Sequence, residues 1–244
     1  GLTLSQGVSI NGAYLSNCQF STAFNINFNG TTSCGGSIVA SAGTVSYANP
    51  IPNVIAGTYY HLNISATVTT ATLCGAITVN GNLAVNGTAT LYTNIYQIAG
   101  NSTGLFTMAS GSTLRIGNTG SATDVAFPTN FTTGNITLNA NNTVIYQSNG
   151  NQTISAVPAY GNLTTATTGS KTIANNITVR GNILIGAGSI LEVGGNTYNI
   201  SVEGNWTNEL GATFNENNGT VTFSGGSNQT ISGNSTETFY KLTI

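Results

Sequence analysis

The sequence predicts an all-β fold, a parallel β-solenoid (β-helix) of stacked coils of about 22 residues each. First, the 244-residue chain lacks most strong helix formers other than Ala and Leu and is rich in Thr, Val, Ile, Asn and Gly. Second, short alternating runs, such as residues 198–202 and 221–223, are bounded by Gly or Asn every few residues. Third, the sequence repeats internally.

Two blocks of sequence recur at constant offsets. Residues 143–155 return 77 residues later as 220–232, and a weaker copy begins at Thr44. Residues 72–83 return 100 residues later as 172–183. These offsets predict four segments: an N-terminal β segment over 1–43, a first repeat unit over 44–142, a second over 143–219 and the start of a third over 220–244.

The spacing of the units indicates the coil length. The first unit is 22 residues longer than the second, because a block at roughly 115–140 is present in the first unit only. A solenoid can accept a whole added coil without disturbing its neighbours. Units of 77 and 99 residues would then hold non-integer numbers of coils, about 3.5 and 4.5. Tandem immunoglobulin-like β-sandwich repeats are the alternative.

Turn length and charge favour the solenoid over the sandwich. Strand-sized runs are separated by only two to four turn residues. Only 10 of the 244 residues are charged, as expected where like charges on stacked strands would repel at a spacing of ~4.8 Å. Asn side chains at the turns can hydrogen-bond along such a stack. These features predict coils held together by polar but uncharged turns.

The same composition excludes several functions. Four basic residues and a net charge of −2 cannot neutralise a phosphate backbone, so nucleic acid is not an expected partner. No apolar run approaches the ~18 residues of a membrane-spanning helix. The chain begins at Gly1 without Met, which indicates a processed or excised product.

Catalytic and metal-binding residues are scarce, and we predict a non-enzyme without cofactors. The only His is His61, which we expect at the surface, and the only Asp is Asp124. Carboxylates could pair on adjacent coils for glycoside hydrolysis, as Glu192 with Glu203 or Glu209 with Glu216. We favour the interpretation that these glutamates are scattered, solvated turn residues. No metal-ligand spacing is present.

Several strings resemble a known group of proteins. Residues 218–223, 228–232 and 239–244, together with the block 176–182, resemble the repeats of very large secreted surface proteins of Bacteroidetes-type bacteria. Those proteins are similar to filamentous adhesins. The resemblance covers roughly residues 44–244. It implies an extracellular or cell-surface location and a fibrous role.

Three cysteines, Cys18, Cys34 and Cys74, leave at least one thiol unpaired within the chain. A Cys18–Cys34 bridge is predicted, since both residues lie in the N-terminal region. The alternative is that all three are small buried residues. Cys74 occupies the position of Ala174 in the later copy, which favours a packing role.

Glycosylation sequons are abundant in this Asn-rich chain, partly because the repeat itself contains Asn-x-Thr. Glycans on an extracellular fibre would be attached to residues such as Asn63, Asn86, Asn101, Asn130, Asn205 and Asn234.

The two ends of the sequence complement one another. The chain stops just as a third unit begins, and residues 8–12 imitate residues 77–81. This pattern predicts the structural subunit of an extracellular filament, a homopolymer assembled head to tail by β-strand complementation. The predicted interface residues are Leu2, Leu4, Val8, Ile10, Phe239, Tyr240, Leu242 and Ile244. The alternative is a glycan-binding adhesin stalk, cut from a much larger repeat protein.

Overall fold

The computed structural model describes residues 2–13, 19–156, 159–195, 197–234 and 236–244, with the backbone alone at residues 2 and 3. The chain is a parallel β-solenoid of about 11 turns, which confirms the predicted fold class. Two compact units are present. The first comprises Gly1–Leu114 and Pro128–Thr137, and the second comprises Arg115–Phe127 and Leu138–Ile244.

The first unit is built from short strands that return to the same sheets. Its strands are β1 (Leu2–Leu4), β2 (Val8–Ile10), β3 (Gln19–Thr22), β4 (Ile26–Phe28), β5 (Ser37–Ala40), β6 (Thr44–Tyr47), β7 (Asn53–Val54), β8 (Gly57–Tyr59), β9 (His61–Ile64), β10 (Thr70–Leu73), β11 (Ile77–Val79), β12 (Leu83–Val85), β13 (Thr90–Tyr92), β14 (Ile98–Ala99) and β15 (Phe106–Met108). One sheet runs β1-β3-β5-β8-β11-β14, a second β2-β4-β6-β9-β12-β15, and a third contains β7-β10-β13. The predicted N-terminal segment 1–43 thus belongs to the same sheets as the strands that follow it.

The second unit repeats this arrangement. Strands β16 (Thr113–Ile116) and β17 (Ile136–Leu138) lie where the chain passes between units. Its other strands are β18 (Thr143–Tyr146), β19 (Gln152–Ile154), β20 (Asn162–Thr165), β21 (Ser170–Ile173), β22 (Ile177–Val179), β23 (Ile183–Ile185), β24 (Ile190–Val193), β25 (Asn199–Val202), β26 (Trp206–Asn208), β27 (Thr213–Asn215), β28 (Thr220–Phe223), β29 (Ile231–Gly233) and β30 (Lys241–Thr243). They form the runs β18-β20-β23-β26-β29, β19-β21-β24-β27 and β22-β25-β28-β30.

The core consists of columns of apolar side chains, one per coil. Strands alternate between buried and more exposed residues, as a period of two requires. One column in the first unit stacks five buried residues in register: Ile26, Val45, Leu62, Leu83 and Phe106. Each coil therefore buries its apolar face against the coils before and after it.

Most paired positions on successive coils are 17 to 25 residues apart, which agrees with the predicted length of about 22. The 77-residue offset does not return to the same sheet, because Val144 lies in β18 and Val221 in β28. The repeat therefore spans a non-integer number of coils, as its length indicated.

The block at 115–140 does not form one added coil. Its residues divide between the two units, and they include a 3-10 helix at Thr133–Asn135. In the first unit, Ala99 forms its bridge with Thr129, 30 residues further on, whereas Ile77 pairs with Ile98. The block lengthens a coil instead of adding one.

Asparagine ladders along the turns confirm the predicted hydrogen bonding between coils. The Asn162 Oδ1 accepts the Asn182 N–H at 2.9 Å, and the Asn182 Oδ1 accepts the Asn205 N–H at 2.8 Å. The Asn205 Oδ1 then accepts the Thr230 N–H at 2.9 Å. Each side chain satisfies a backbone donor of the next coil, which explains why Asn is preferred at these turns.

Candidate assembly interface

The C-terminal end of the second unit presents two edge strands. In the described sheets, β30 pairs only with β28, and β29 pairs only with β26. An edge strand offers a row of N–H and C=O groups to a further strand. The backbone here can therefore accept another coil.

Apolar side chains accompany these edges. Tyr240 is 65% exposed, Leu242 41% and Ile244 96%, whereas Val221, the partner of Leu242 one coil earlier, is 1% exposed. Ile231 on β29 is 46% exposed. Exposed apolar residues clustered at one place indicate an interaction surface more strongly than single ones do. Three of the predicted interface residues lie in this cluster.

A cavity of about 350 Å³ opens beside the same edge. Its lining residues are Phe223, Gly225, Ser227, Asn228, Gln229, Ile231 and Ile244. The Gln229 amide hydrogen-bonds the lining loop to the coil beneath it. Its Nε2 donates to the carbonyls of Val202 at 3.0 Å and Gly204 at 2.6 Å, and its Oε1 accepts the Gly225 N–H at 2.8 Å. The loop that shapes the cavity is thus tied to the coil beneath it.

Phe239, also predicted to lie at the interface, is half-buried and packs inside the unit. Its ring centroid lies 5.6 Å from that of Trp206, 5.8 Å from that of Phe214 and 6.4 Å from that of Phe223. The last coil of the core is therefore covered in part by its own chain. The ring of Phe239 thus closes an aromatic cluster within the unit, and its role at an interface stays a prediction.

Glu237 joins the segment that contains Phe239 to the core by hydrogen bonds. Its Oε2 accepts the indole Nε1–H of Trp206 at 2.8 Å and the Nδ2–H of Asn208 at 2.9 Å. Burial raises the pKa of the Glu237 carboxyl, its hydrogen bonds lower it, and nearby Glu216 raises it further. Glu237 therefore positions the segment that precedes Tyr240 and Leu242.

The N-terminal end of the first unit presents a matching pair of edges. Among the described strands, β1 pairs only with β3, and β2 only with β4. Leu4, Val8 and Ile10 are half-buried because each has a stacked neighbour on one side only. The side chain of Leu2 lies outside the described part of the chain.

The cysteine prediction is corrected by the structure. Cys34 is bonded to Cys74, with Cα atoms 5.1 Å apart, so the predicted Cys18–Cys34 bridge is wrong and Cys74 is not simply a packing residue. Cys18 lies outside the described residues. The two bonded residues are 40 positions apart in the sequence, and that distance conceals their proximity in the fold.

The six named sequons fall into two groups. Asn130, Asn205 and Asn234 are exposed. Asn63, Asn86 and Asn101 are half-buried, and each donates its Nδ2, the atom to which a glycan would be attached, to a neighbouring coil or turn. Exposure therefore favours the first group as glycan acceptors, and glycosylation itself stays a prediction.

His61 takes the place of an asparagine in a turn ladder of the first unit. Its Nδ1 accepts the Asn82 N–H at 2.9 Å, and the Asn82 Oδ1 accepts the Leu105 N–H at 3.0 Å. Glycine is needed beneath the imidazole, because a Cβ at Gly81 would lie 2.7 Å from Nδ1. His61 also lines a shallow groove of about 370 Å³ with Thr44, Leu62, Asn63, Asn82 and Ala84.

A buried lysine is the most prominent polar feature that the sequence did not predict. The Lys171 side chain is fully buried, and its Nζ donates to the carbonyls of Ser148 at 2.9 Å, Gly150 at 2.7 Å and Thr168 at 2.8 Å. Burial lowers its pKa to about 8, and the charge of Asp124 opposes that shift. Its inward position in an alternating run was the available signal.

Other groups of chemical interest are dispersed. Glu192 accepts the Thr172 hydroxyl at 3.2 Å, and Glu209 accepts the Ala187 N–H at 2.9 Å. Among the described residues, no cluster of three His, Cys, Asp or Glu side chains could hold a metal ion. In the same part of the chain, no helix is both long and apolar enough to cross a membrane.

Comparison with protein-family models, curated proteins and solved structures finds no match to this chain.

Proposed function

We propose that the protein is a structural subunit of an extracellular filament or surface fibre, assembled head to tail by β-strand complementation. The observation that carries this proposal is the pair of edge strands β29 and β30, each with one partner among the described strands, together with the exposed side chains of Leu242 and Ile244. A contact between two different edges is heterologous, so repetition makes an open fibre unless the rotation closes a ring.

Two further features support this function. A structural disulfide such as Cys34–Cys74 is typical of an oxidising compartment such as the cell exterior. The surface carries few charges, 10 in the whole chain, so little electrostatic repulsion opposes association of copies.

Electron microscopy of the purified 244-residue chain tests the proposal. We expect filaments from the parent protein and none from Leu242→Lys, because a charge on an edge strand opposes pairing. Leu210→Lys is the matched control, since Leu210 is 69% exposed and lies in the turn between β26 and β27, not on a strand edge. A parent protein that stays monomeric at high concentration, or an equal loss of filaments in both variants, would contradict the proposal.

The groove beside His61 favours a second candidate function, a glycan-binding adhesin stalk within a larger repeat protein. Thr44, Asn63 and Asn82 provide hydroxyl and amide groups along the groove. The partly exposed ring of Tyr60 packs edge-on against His61 at 4.6 Å and provides an aromatic surface. Screening of a glycan array with the parent chain and with Tyr60→Ala tests this function, and an array without parent-specific binding contradicts it.

A further inference from the structure

We propose that strand β2 of a second copy adds in parallel to β30, with Val8 opposite Leu242, Ser9 opposite Thr243 and Ile10 opposite Ile244. This inference rests on the proposed filament function and specifies its partner and register. It follows from the columns of side chains that end at the two edges.

The first half of the match is the sheet that ends at β30. Residues Ile177, Ile200 and Val221 form one buried column, and Leu242 is its next member. A second column contains Val179, Val202 and Phe223. Because Thr222 pairs with Thr243, Ile244 takes the next position in this second column. The β30 edge therefore ends in two apolar residues separated by one outward-facing Thr.

The other half is the sheet that begins at β2. Val8 pairs with Ile26, and Ile10 pairs with Phe28. Both partners are fully buried. Ser9 lies between them and is exposed. Two apolar columns thus begin at Val8 and Ile10 on β2. These two residues have the same spacing as Leu242 and Ile244, at which the two columns of the β30 sheet end.

Only one register joins both pairs of columns. A shift of one residue would direct Ser9 into the core and the apolar residues outward. A shift of two residues would leave one column of each copy without a partner. In the proposed register, Lys241 lies opposite Gly7, so no side chain opposes its charge.

The repeat and the cavity support the same arrangement. Residues 8–12 of β2 and its turn resemble residues 177–181, which begin with β22. Strand β22 is the first strand of the sheet in which β30 is the last. Ile10, placed opposite Ile244, would also cover the cavity lined by Phe223, Ile231 and Ile244. A side chain that fills a pocket at the centre of a contact is the usual source of binding energy.

Cysteine crosslinking between two differently labelled copies tests the register. Both copies carry Cys18→Ala; one also carries Ser9→Cys and the other Thr243→Cys. Ser9 and Thr243 are both exposed. Opposite residues on adjacent strands lie ~5 Å apart, within disulfide range. Lys241→Cys is the off-register control, because it would lie ~8 Å from Ser9→Cys, beyond that range.

We expect mild oxidation of the mixed filaments to give covalent dimers several-fold more often with Thr243→Cys than with Lys241→Cys. Three outcomes would overturn the register and leave the filament function intact. The filaments could crosslink equally through both sites, preferentially through Lys241→Cys, or through neither site. Absence of filaments by microscopy, together with absence of dimers, would overturn both.

Discussion

The two units share a tyrosine clasp in their cores. In the first unit, the hydroxyls of Tyr47 and Tyr59 lie 2.9 Å apart, and in the second unit those of Tyr146 and Tyr160 lie 2.9 Å apart. In each clasp, the first tyrosine accepts a backbone N–H and the second donates to the carbonyl of the same residue, Ile55 or Ser155. The third copy replaces both tyrosines by Phe223 and Phe239. The repeat therefore keeps two aromatic rings in contact in all three copies, but only the first two copies keep the hydrogen-bonding hydroxyls.

The units differ in what else fastens their coils. The first unit has the Cys34–Cys74 disulfide and the second has the buried Lys171. At the 100-residue offset, Cys74 corresponds to Ala174 and Lys171 to Ala71. Cys74 and Lys171 thus each occupy a position where the other unit has an alanine. The common fold is set by the columns, and each unit adds its own link between coils.

The largest expected effect is loss of the disulfide in the first unit. The bond joins residues separated by 40 positions, and closing such a loop contributes about 4 kcal/mol to the free energy of unfolding. We expect the double variant Cys34→Ala/Cys74→Ala to lose about that much. Chemical denaturation measures the loss, and hydrogen exchange should locate it in the first unit. Unchanged protection there would show that the bond adds nothing to stacking.

A smaller effect is expected at Lys171 in the second unit. Lys171→Met removes the charged donor of three carbonyls, of which that of Ser148 is buried, and should lower the free energy of unfolding by about 3 kcal/mol. The exposed Lys241→Met is the control, with no expected change. Hydrogen exchange should show faster opening near residues 148–150, and equal stability of the two variants would remove Lys171 from the comparison.

The smallest effects should be equal in the two units. Tyr47→Phe and Tyr146→Phe each remove one hydroxyl of a clasp, and with it the acceptor of the Ile55 or Ser155 N–H. We expect each to cost about 1–2 kcal/mol at pH 7. Thermal or chemical unfolding of both variants checks this symmetry. A clearly larger loss for one of them would show that the clasps are not equivalent.

The clasps also predict a dependence on alkaline pH. Burial raises the pKa of Tyr146 to about 12 and raises the pKa values of Tyr59 and Tyr160 well above 10. The folded protein therefore keeps these protons while the unfolded chain releases them near pH 10. The contribution of these tyrosines to the free energy of unfolding should be fully present below pH 10 and should decrease between about pH 10 and 12. Tyrosinate absorbance measured during unfolding checks this, and a stability that stays constant to pH 12 would contradict it.

Much of the fold could be predicted from local pattern. The alternation of apolar and polar residues in runs such as residues 220–223 predicts strands, and the Asn-rich turns predict ladders; both are confirmed. Of the predicted interface residues, Tyr240, Leu242 and Ile244 are exposed, whereas Phe239 is half-buried and packs against Trp206. The interface itself stays a prediction. The local sequence around Phe239 does not reveal whether a further coil covers the ring.

Sequence by itself determined the solenoid, because a period of two within strands, short polar turns and scarce charge leave few other ways to bury the apolar residues. Tertiary structure alone decided which coils meet. It paired Cys34 with Cys74 and surrounded Lys171 with three carbonyls. Coil lengths vary from 17 to 30 residues. No local pattern in the sequence contains the sum of these lengths, which sets the side chains that lie above one another.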